Sequence, residues 1–327
     1  MTTLVIGEAI IDAIVHVDGC ANEKCGGSPA NVAVGLSRLG ENTRLLTSFG
    51  GDDRGGALRR WLKKDGVEVQ SAMSAKTSVA YVNVNLTGAP DYDFDIKWDL
   101  ADAAADFTGP SADFEGVKCV HSGSLATLLE PGASQVEAIL KNLRSRGILV
   151  TYDPNIRLIP GLVPAEVKSR VQRLIALSDV VKCSNEEIEF LAGRTDLSAD
   201  DLVEFARELM LRSRQDEGEG PQLFVVTMGK DGAFALNTDL EQATVPAQDS
   251  GRIADTVGAG DSFMSALIYQ TLRLNLQPQR PGSDTSQTTR TLSVEQMAEI
   301  LTFCSRVAGI TVTRWGANPP YLHELDA

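Results

Sequence analysis

Residues 148–183, ILVTYDPNIRLIPGLVPAEVKSRVQRLIALSDVVKC, hold the alternation that decides the fold. Ile148–Tyr152 and Asp179–Cys183 are short apolar runs rich in strand-forming residues, and Ala165–Leu177 between them has helical composition. Continuously apolar strands are buried on both faces, and a helix joining two of them is the crossover of a parallel pair. The rhythm extends outward in both directions. Thr3–Gly7, Thr43–Phe49, Lys118–His121 and Leu223–Thr227 read as further strands; Ala30–Leu39, Ala57–Lys64, Ser134–Arg146 and Ala199–Leu211 read as helices. The expected fold is α/β, with a mainly parallel central sheet flanked by helices on both faces.

Three stretches depart from this rhythm. Asp12–Asp18 and Ser78–Leu86 alternate apolar and polar residues, and Asp91–Trp98 places Tyr92, Phe94, Ile96 and Trp98 on one side. Such alternation fits half-exposed antiparallel strands. It predicts a small β-sheet lid, built from about 11–25 and 76–100, over a single domain spanning 1–327. The acidic Asp91, Asp93 and Asp95 then form its solvated face. Gln277–Thr291 reads as a low-complexity polar loop, and no internal repeat is present.

Composition narrows the function. The chain has 327 residues, long enough to bury roughly 75% of its unfolded surface without disulfides or a structural metal. Acidic residues outnumber basic ones 44 to 30, a net charge of −14, which disfavours nucleic acid and anionic membranes as partners. No apolar run approaches the ~18 residues of a membrane span, and Met1–Glu8 reads as a strand rather than a signal peptide. The five cysteines are odd in number and scattered, which points to reduced thiols and a cytoplasmic location. Three histidines far apart in sequence make a three-histidine metal site improbable, and no Gly-x-Ser-x-Gly elbow supports a serine triad.

The strongest chemical signal is Asp255-Thr-Val-Gly-Ala-Gly-Asp261-Ser-Phe263. A glycine-rich turn feeding a helix presents unpaired N–H groups and a positive dipole end, which is an anion site. Asp261, in that first turn, is either a general base beside the anion site or a helix cap. The second signal is Gly26-Gly27-Ser28-Pro29-Ala30-Asn31. Ser28 reads as an N-cap, Pro29 as the first helical residue and Asn31 as the third, with the glycines allowing close approach of a ligand. No Gly-x4-Gly-Lys-Ser/Thr occurs, and no Gly-x-Gly-x-x-Gly follows the first strand.

Taken together, the motifs resemble the PfkB, or ribokinase-like, family of carbohydrate kinases. The resemblance runs through Gly-Glu-x3-Asp12, GGSPAN at 26–31, DPNIR at 153–157, TMGKDG at 227–232, DTVGAGD at 255–261 and GANPP at 316–320. The DPNIR and GANPP elements are similar to the fructokinase branch. The resemblance implies that Asp261 is the catalytic base, and Gly258, Ala259 and Gly260 the anion hole. It implies that Asp12, Gly26, Gly27 and Asn31 hold the sugar, with Arg157 in reach. Thr227, Gly229, Ser184 and Ser305 would meet ATP, with Cys304 and Ser305 opening the helix segment beside the adenine. Glu187 matches the residue linked to Mg²⁺. Asp255, with carbonyls near Val257, Thr311 and Gly316, matches a K⁺ site.

The implied activity is ATP-dependent phosphorylation of the primary hydroxyl of a free sugar, with fructose favoured. Competing readings are a 2-keto-3-deoxygluconate kinase, a ribokinase- or nucleoside-kinase-like enzyme, and a non-catalytic sugar-binding regulator. A sugar acid needs a cation for its carboxylate, and Asp91–Trp98 offers only Lys97. His121 reads as a satisfied strand-end histidine. The resemblance also implies a homodimer through the lid.

Overall fold

In the computed structural model, which describes residues 1–15, 21–84, 90–109, 114, 116–217, 220–249, 251–278 and 291–325, the α/β expectation holds. The chain begins with β1 (Thr2–Ile6), leaves the main sheet for β2 (Ile10–Val15) and β3 (Ala21–Gly26), and returns through α1 (Ser28–Arg38) and β4 (Thr43–Gly50). Next come α2 (Asp53–Lys64), β5 (Glu68–Ser74), β6 (Val79–Val84), β7 (Pro90–Asp95) and the short α3 (Ala105–Thr108). A regular series follows: β8 (Val117–Gly123), α4 (Gly132–Ser145), β9 (Leu149–Asp153), α5 (Pro164–Leu177) and β10 (Val180–Ser184). It continues through α6 (Asn185–Ala192), α7 (Ala199–Glu217) and β11 (Leu223–Thr227). The hairpin of β12 (Ala233–Asn237) and β13 (Gln242–Val245) precedes α8 (Ala259–Arg273) and α9 (Val294–Val312).

Nine strands form the main sheet in the order β13-β12-β11-β10-β9-β8-β1-β4-β5. Every pair from β11 to β5 is parallel, and only β12 is reversed, pairing antiparallel with both β11 and β13. Successive side chains point to opposite faces of a strand, and both faces are packed. Val5, Cys119, Leu149, Val180 and Val225 meet α1, α8 and α9, whereas Leu4, Val120, Val150, Val181 and Val226 meet α4, α5 and α7. This double burial is why these strands read as continuous apolar runs.

The small sheet has the order β3-β2-β6-β7. Its outer pairs are antiparallel as expected, but β2 and β6 are parallel, in register Ile11↔Val79 to Val15↔Asn83. Both leave the C-terminal side of the main sheet, β2 after β1 and β6 after β5, so they run in the same direction. Trp98 does not belong to this sheet. It is buried against the α4 side of the core, where its indole N–H donates to Ala126 O at 2.9 Å. Asp93 is exposed, and Asp95 is paired with Lys76. His16–Asp18, Leu86 and most of the 277–291 loop lie outside the described residues.

Helices α1 and α8 cross closely because a glycine sits at their contact. A Cβ on Gly35 would stand 2.4 Å from Ser265 Oγ and 2.7 Å from Ser265 Cβ. Replacing Gly35 with valine should therefore separate the helices and destabilise the protein by about 1–3 kcal/mol, as overpacking does. Urea denaturation measures this; a loss under about 0.5 kcal/mol would mean that the crossing is not tight.

Candidate active site

The first turn of α8 is the centre of the site. Gly258 precedes the helix in the left-handed region (φ 77°), and a Cβ there would stand 2.4 Å from Ala317 Cβ. The N–H groups of Gly258 and Gly260 have no backbone acceptor among the described residues, while the Ala259 N–H turns back to Thr256 O at 3.3 Å. Asp261 is buried and does not cap the helix. Its Oδ1 accepts from Ser28 Oγ at 2.6 Å and its Oδ2 from Asn31 Nδ2 at 2.8 Å.

Those bonds correct the reading of the second motif. Ser28 is not an N-cap: Gly27, in a positive-φ conformation (φ 101°), precedes the helix, and Ser28 is its first residue. The left-handed turn brings the chain into the helix one residue early, so the Ser28 hydroxyl faces Asp261 rather than its own backbone. Asn31 likewise lies one position deeper than expected. A Cβ on Gly26 would stand 2.2 Å from Asp12 Oδ2, and one on Gly27 2.5 Å from Glu8 O. Both glycines are needed for Asp12 and the 8–9 backbone to approach. Asn31 Oδ1 is buried without a hydrogen-bond partner, an acceptor open to a ligand hydroxyl.

Acids crowd this cleft. Burial raises the Asp261 pKa, and the bonds from Ser28 and Asn31, with the charges of Lys182 and Arg157, oppose the rise. Asp12 is pushed up to about 6 by burial and by Asp261, against the pull of Lys24. Glu8, whose Oε2 accepts from Ala126 N at 2.9 Å, is pushed up to about 7, chiefly by burial. Lys24, opposite Asp12 in the β2–β3 register, escaped the sequence reading, which sought a lid cation only in 91–98. Lys97 is exposed, and its backbone N–H and C=O are engaged by the Ser78 hydroxyl.

Lys182 is the other residue that sequence reasoning missed. It sits among the apolar residues of β10, buried, with Nζ 2.8 Å from Asp153 Oδ2. Nζ is also 3.7 Å from where a Gly260 Cβ would be, directly by the first turn of α8. Burial disfavours its charge, but Asp153 and Glu187 outweigh that and hold the ammonium protonated. Asp153 is therefore an ion-pair partner rather than a turn former, while Asn155 (φ 37°) makes the turn. Arg157 is exposed and near enough to Asp261 to lower its pKa. His121 is buried, 3.0 Å from Thr151 Oγ1, and held neutral with its pKa lowered to about 3, mainly by burial.

A cavity of 540 Å³ opens on the other side of the α8 turn. Thr227, Gly229 and Lys230 line it beyond β11, Ala259 and Gly260 on α8, and Ser305, Ala308, Gly309 and Val312 on α9. Ser305 and Cys304 lie in mid-helix, since α9 begins earlier, at a Ser293–Gln296 capping box. Ser184 is not in this cavity. It caps α6 reciprocally with Glu187 and lines a second cavity with Ile156, Arg157, Glu186 and Glu187. The Glu187 carboxylate accepts from Ser184 N at 2.7 Å and Ile156 N at 2.6 Å. Asp255 accepts from Val257 N at 3.0 Å and Gly316 N at 2.9 Å. Burial opposes its charge, but those bonds together with the charge of Lys24 and the Thr256 backbone hold its pKa below the ordinary value. Thr311 is buried in α9, and its carbonyl accepts from Arg314 N at 3.0 Å.

The arrangement thus has a carboxylate between an acid-rich cleft and a cavity bordered by Gly260, whose N–H has no backbone acceptor among the described residues. The family model described as pfkB family carbohydrate kinase matches residues 2–324. The chain belongs to the pfkB carbohydrate kinase family. This carbohydrate kinase is a phosphotransferase acting on a sugar hydroxyl. It is 30% identical to the probable fructokinase-7 of Arabidopsis thaliana, over 99% of this chain and 91% of that protein. It is also 30% identical to a fructokinase of Klebsiella pneumoniae, over 81% of this chain and 82% of that protein. Among solved structures, the fructokinase of Xylella fastidiosa with bound ATP aligns with a TM-score of 0.79 at 25% identity, covering 99% of this chain and 97% of that one.

The raised Asp12 pKa has a consequence for a pfkB kinase. Above about pH 6 its carboxylate is charged and accepts strongly from hydroxyls; below, it is a neutral acid. Sugar affinity should fall about tenfold from about pH 7.5 to about pH 5, and Asp12→Asn should be weak and nearly flat across that range. Calorimetric titration at both pH values checks this; an unchanged wild-type affinity would separate Asp12 from the sugar.

Proposed function

We propose that the protein is an ATP-dependent fructose kinase in which Asp261 is the general base. The observation that carries the reading is the place of the first turn of α8. Ala259 and Gly260 of that turn border the 540 Å³ cavity, while the Asp261 carboxylate faces Ser28 and Asn31 on the opposite side. A nucleotide and a sugar bound to the two sides would meet there and nowhere else. The fructokinase relatives favour fructose, and the ATP-bound relative favours ATP.

The reaction follows from the residues. Asp12 and the open Asn31 Oδ1 accept hydroxyls of the sugar and aim its primary hydroxyl at Asp261. That oxygen attacks the γ-phosphorus as its proton passes to Asp261 Oδ; the bond from phosphorus to the β,γ-bridging oxygen breaks, leaving ADP and the sugar phosphate. The Gly258 and Gly260 amides, at the positive end of α8, stabilise the charge on the transferring group. Lys182, beside Gly260, offsets the acids around it. Thr227 and Gly229 face the nucleotide phosphates, and Ser305, Ala308 and Gly309 the adenine. The small sheet acts as a lid that excludes water; it leaves β3 and β7 as edges through which a second copy can pair.

Two cations fit the residues present. Magnesium keeps most of its water and needs one or two carboxylates besides phosphate. Glu187, anchored by two N–H groups, and the exposed Glu186 beside it supply that number. Magnesium bound there would neutralise phosphate charge. Potassium would be held by Asp255, kept ionised, with the carbonyls of Val257 and Gly316; the Thr311 carbonyl already accepts a helix-end N–H. The free cysteines Cys25, Cys119, Cys183 and Cys304 suit a reducing cytoplasm. Among the described residues, no helix is long and apolar enough to cross a membrane.

Asp261→Asn keeps the side-chain shape but cannot take the proton. Sugar-dependent ADP release should drop by ~10²–10⁴ in kcat, with sugar and ATP affinities little changed. Near-normal kcat in a folded Asn variant would sink the general-base assignment. A panel of fructose, ribose, tagatose, adenosine, inosine and ketodeoxygluconate tests the sugar; a higher kcat/KM on any of the others would overturn fructose.

A further inference from the structure

We propose that Arg38 is a positioning residue for phosphoryl transfer, holding the 316–319 segment against the glycine turn that opens α8. The inference rests on the kinase reading above. Arg38 ends α1, the helix whose first turn carries Ser28 and Asn31. A cation at a helix C-terminus needs no particular shape to meet the dipole, and lysine would serve. This guanidinium is instead used on every nitrogen. Nε and Nη2 bind the two oxygens of Asp65 at 2.9 Å and 3.1 Å. Nη1 donates to Asn318 Oδ1 at 2.6 Å and to Pro319 O at 2.7 Å. The Tyr321 ring lies 4.8 Å from the guanidinium carbon, and its hydroxyl donates to the same Asp65 at 2.8 Å. Planar two-sided recognition of this kind is specific to arginine.

The segment so gripped touches the catalytic turn. The Ala317 methyl fills the place of a Gly258 side chain, and the Gly316 N–H binds Asp255 at 2.9 Å. Pro319 Cγ is 3.8 Å from where a Gly35 Cβ would stand, at the α1–α8 crossing. Ala317 is thus a wall behind a left-handed glycine that no side chain of its own restrains. If the wall retreats, the Gly258 and Gly260 amides can turn away from the transferring phosphoryl group. A displacement near 1 Å costs about a hundredfold in such preorganised sites.

The test compares Arg38→Met, Arg38→Lys and Asn318→Ala, each alone and combined with Ala317→Gly, which removes the wall. The expected result is a loss of about 10–100-fold in kcat for Arg38→Met, with both KM values within about threefold, and only partial rescue by lysine. In the Ala317→Gly background, the Arg38→Met effect should shrink to within about threefold, since both act on one contact. Hydrogen exchange of the 256–260 amides should quicken in Arg38→Met whether or not sugar turns over. Leu202→Ala, a core truncation in α7 on the opposite face, should lower stability while leaving kcat unchanged. Unchanged exchange and kcat, or fully multiplicative losses, would overturn the proposal and leave Arg38 a stability clasp. If Arg38→Met does not fold, Asn318→Ala decides by the same readings. If the wild type phosphorylates no sugar, the kinase reading fails, and the exchange measurement still decides whether Arg38 holds the turn.

Discussion

A carboxylate taken out of water needs donors, and Asp261 finds them in Ser28 and Asn31, 233 and 230 residues away. Much of the remaining geometry follows from that pairing. Two helices must bring their N-terminal turns to one negative charge, an arrangement both dipoles favour. For the hydroxyl of its first residue to be free for Asp261, α1 must begin without a side-chain cap, so Gly27 supplies a positive-φ turn instead. For the helices to lie close enough, Gly35 must face Ser265 without a side chain. The cost of an uncapped helix start is offset by charge-assisted bonds to the acid.

The electrostatics of the cleft are unusual for their sign. Glu8, Asp12, Asp153, Glu187 and Asp261 all have pKa values raised chiefly by burial, with one buried ammonium, Lys182, among them. A net charge of −14 adds no long-range attraction for a nucleotide. In the proposed reaction, attraction of the nucleotide therefore falls to short-range groups: the α8 amides, Lys182 by Gly260, and Lys230 at the cavity wall. Short-range donors fixed by backbone need no reorganisation as charge moves, whereas a flexible basic surface would have to be ordered at each turnover.

What the sequence made legible was whatever a short stretch determines by itself. The parallel strands buried on both faces announced themselves as apolar runs, and the glycine turn before Asp261 as a helix start. Edge strands were harder. Of the residues in β5, only Ala72 is buried, and β13 is four residues alternating out and in, so neither gave a strong pattern. Partners were not legible at all. Lys182 looked like one polar residue in an apolar strand until Asp153 from the neighbouring strand stood beside it. Ser28 had every local mark of a cap, and local chemistry was overridden by an acid from the other end of the chain. Lys24 acquired its meaning only through the β2–β3 register.

The same long reach explains how binding and turnover are divided in this molecule. In the proposed reaction, sugar-side groups come from β2, the Gly26–Gly27 turn and α1, and the groups around the nucleotide from the cavity lined by β11, α8 and α9. The two sets share one structural element, the first turn of α8, whose Asp261 side chain faces the first set while Ala259 and Gly260 border the second. A change on either side can alter the affinity for one substrate while the other set stays in place. A change in the placement of the turn is felt by both at once, in the transition state more than in either ground state. Loop-closure entropy makes contacts between residues so distant expensive to form and late to be rewarded. The turn is therefore held from several sides: by α1 through Asp261, by Lys182 below Gly260, and by the 316–319 segment against Gly258. A glycine turn has little stiffness of its own, and precision in it has to be supplied by its neighbours.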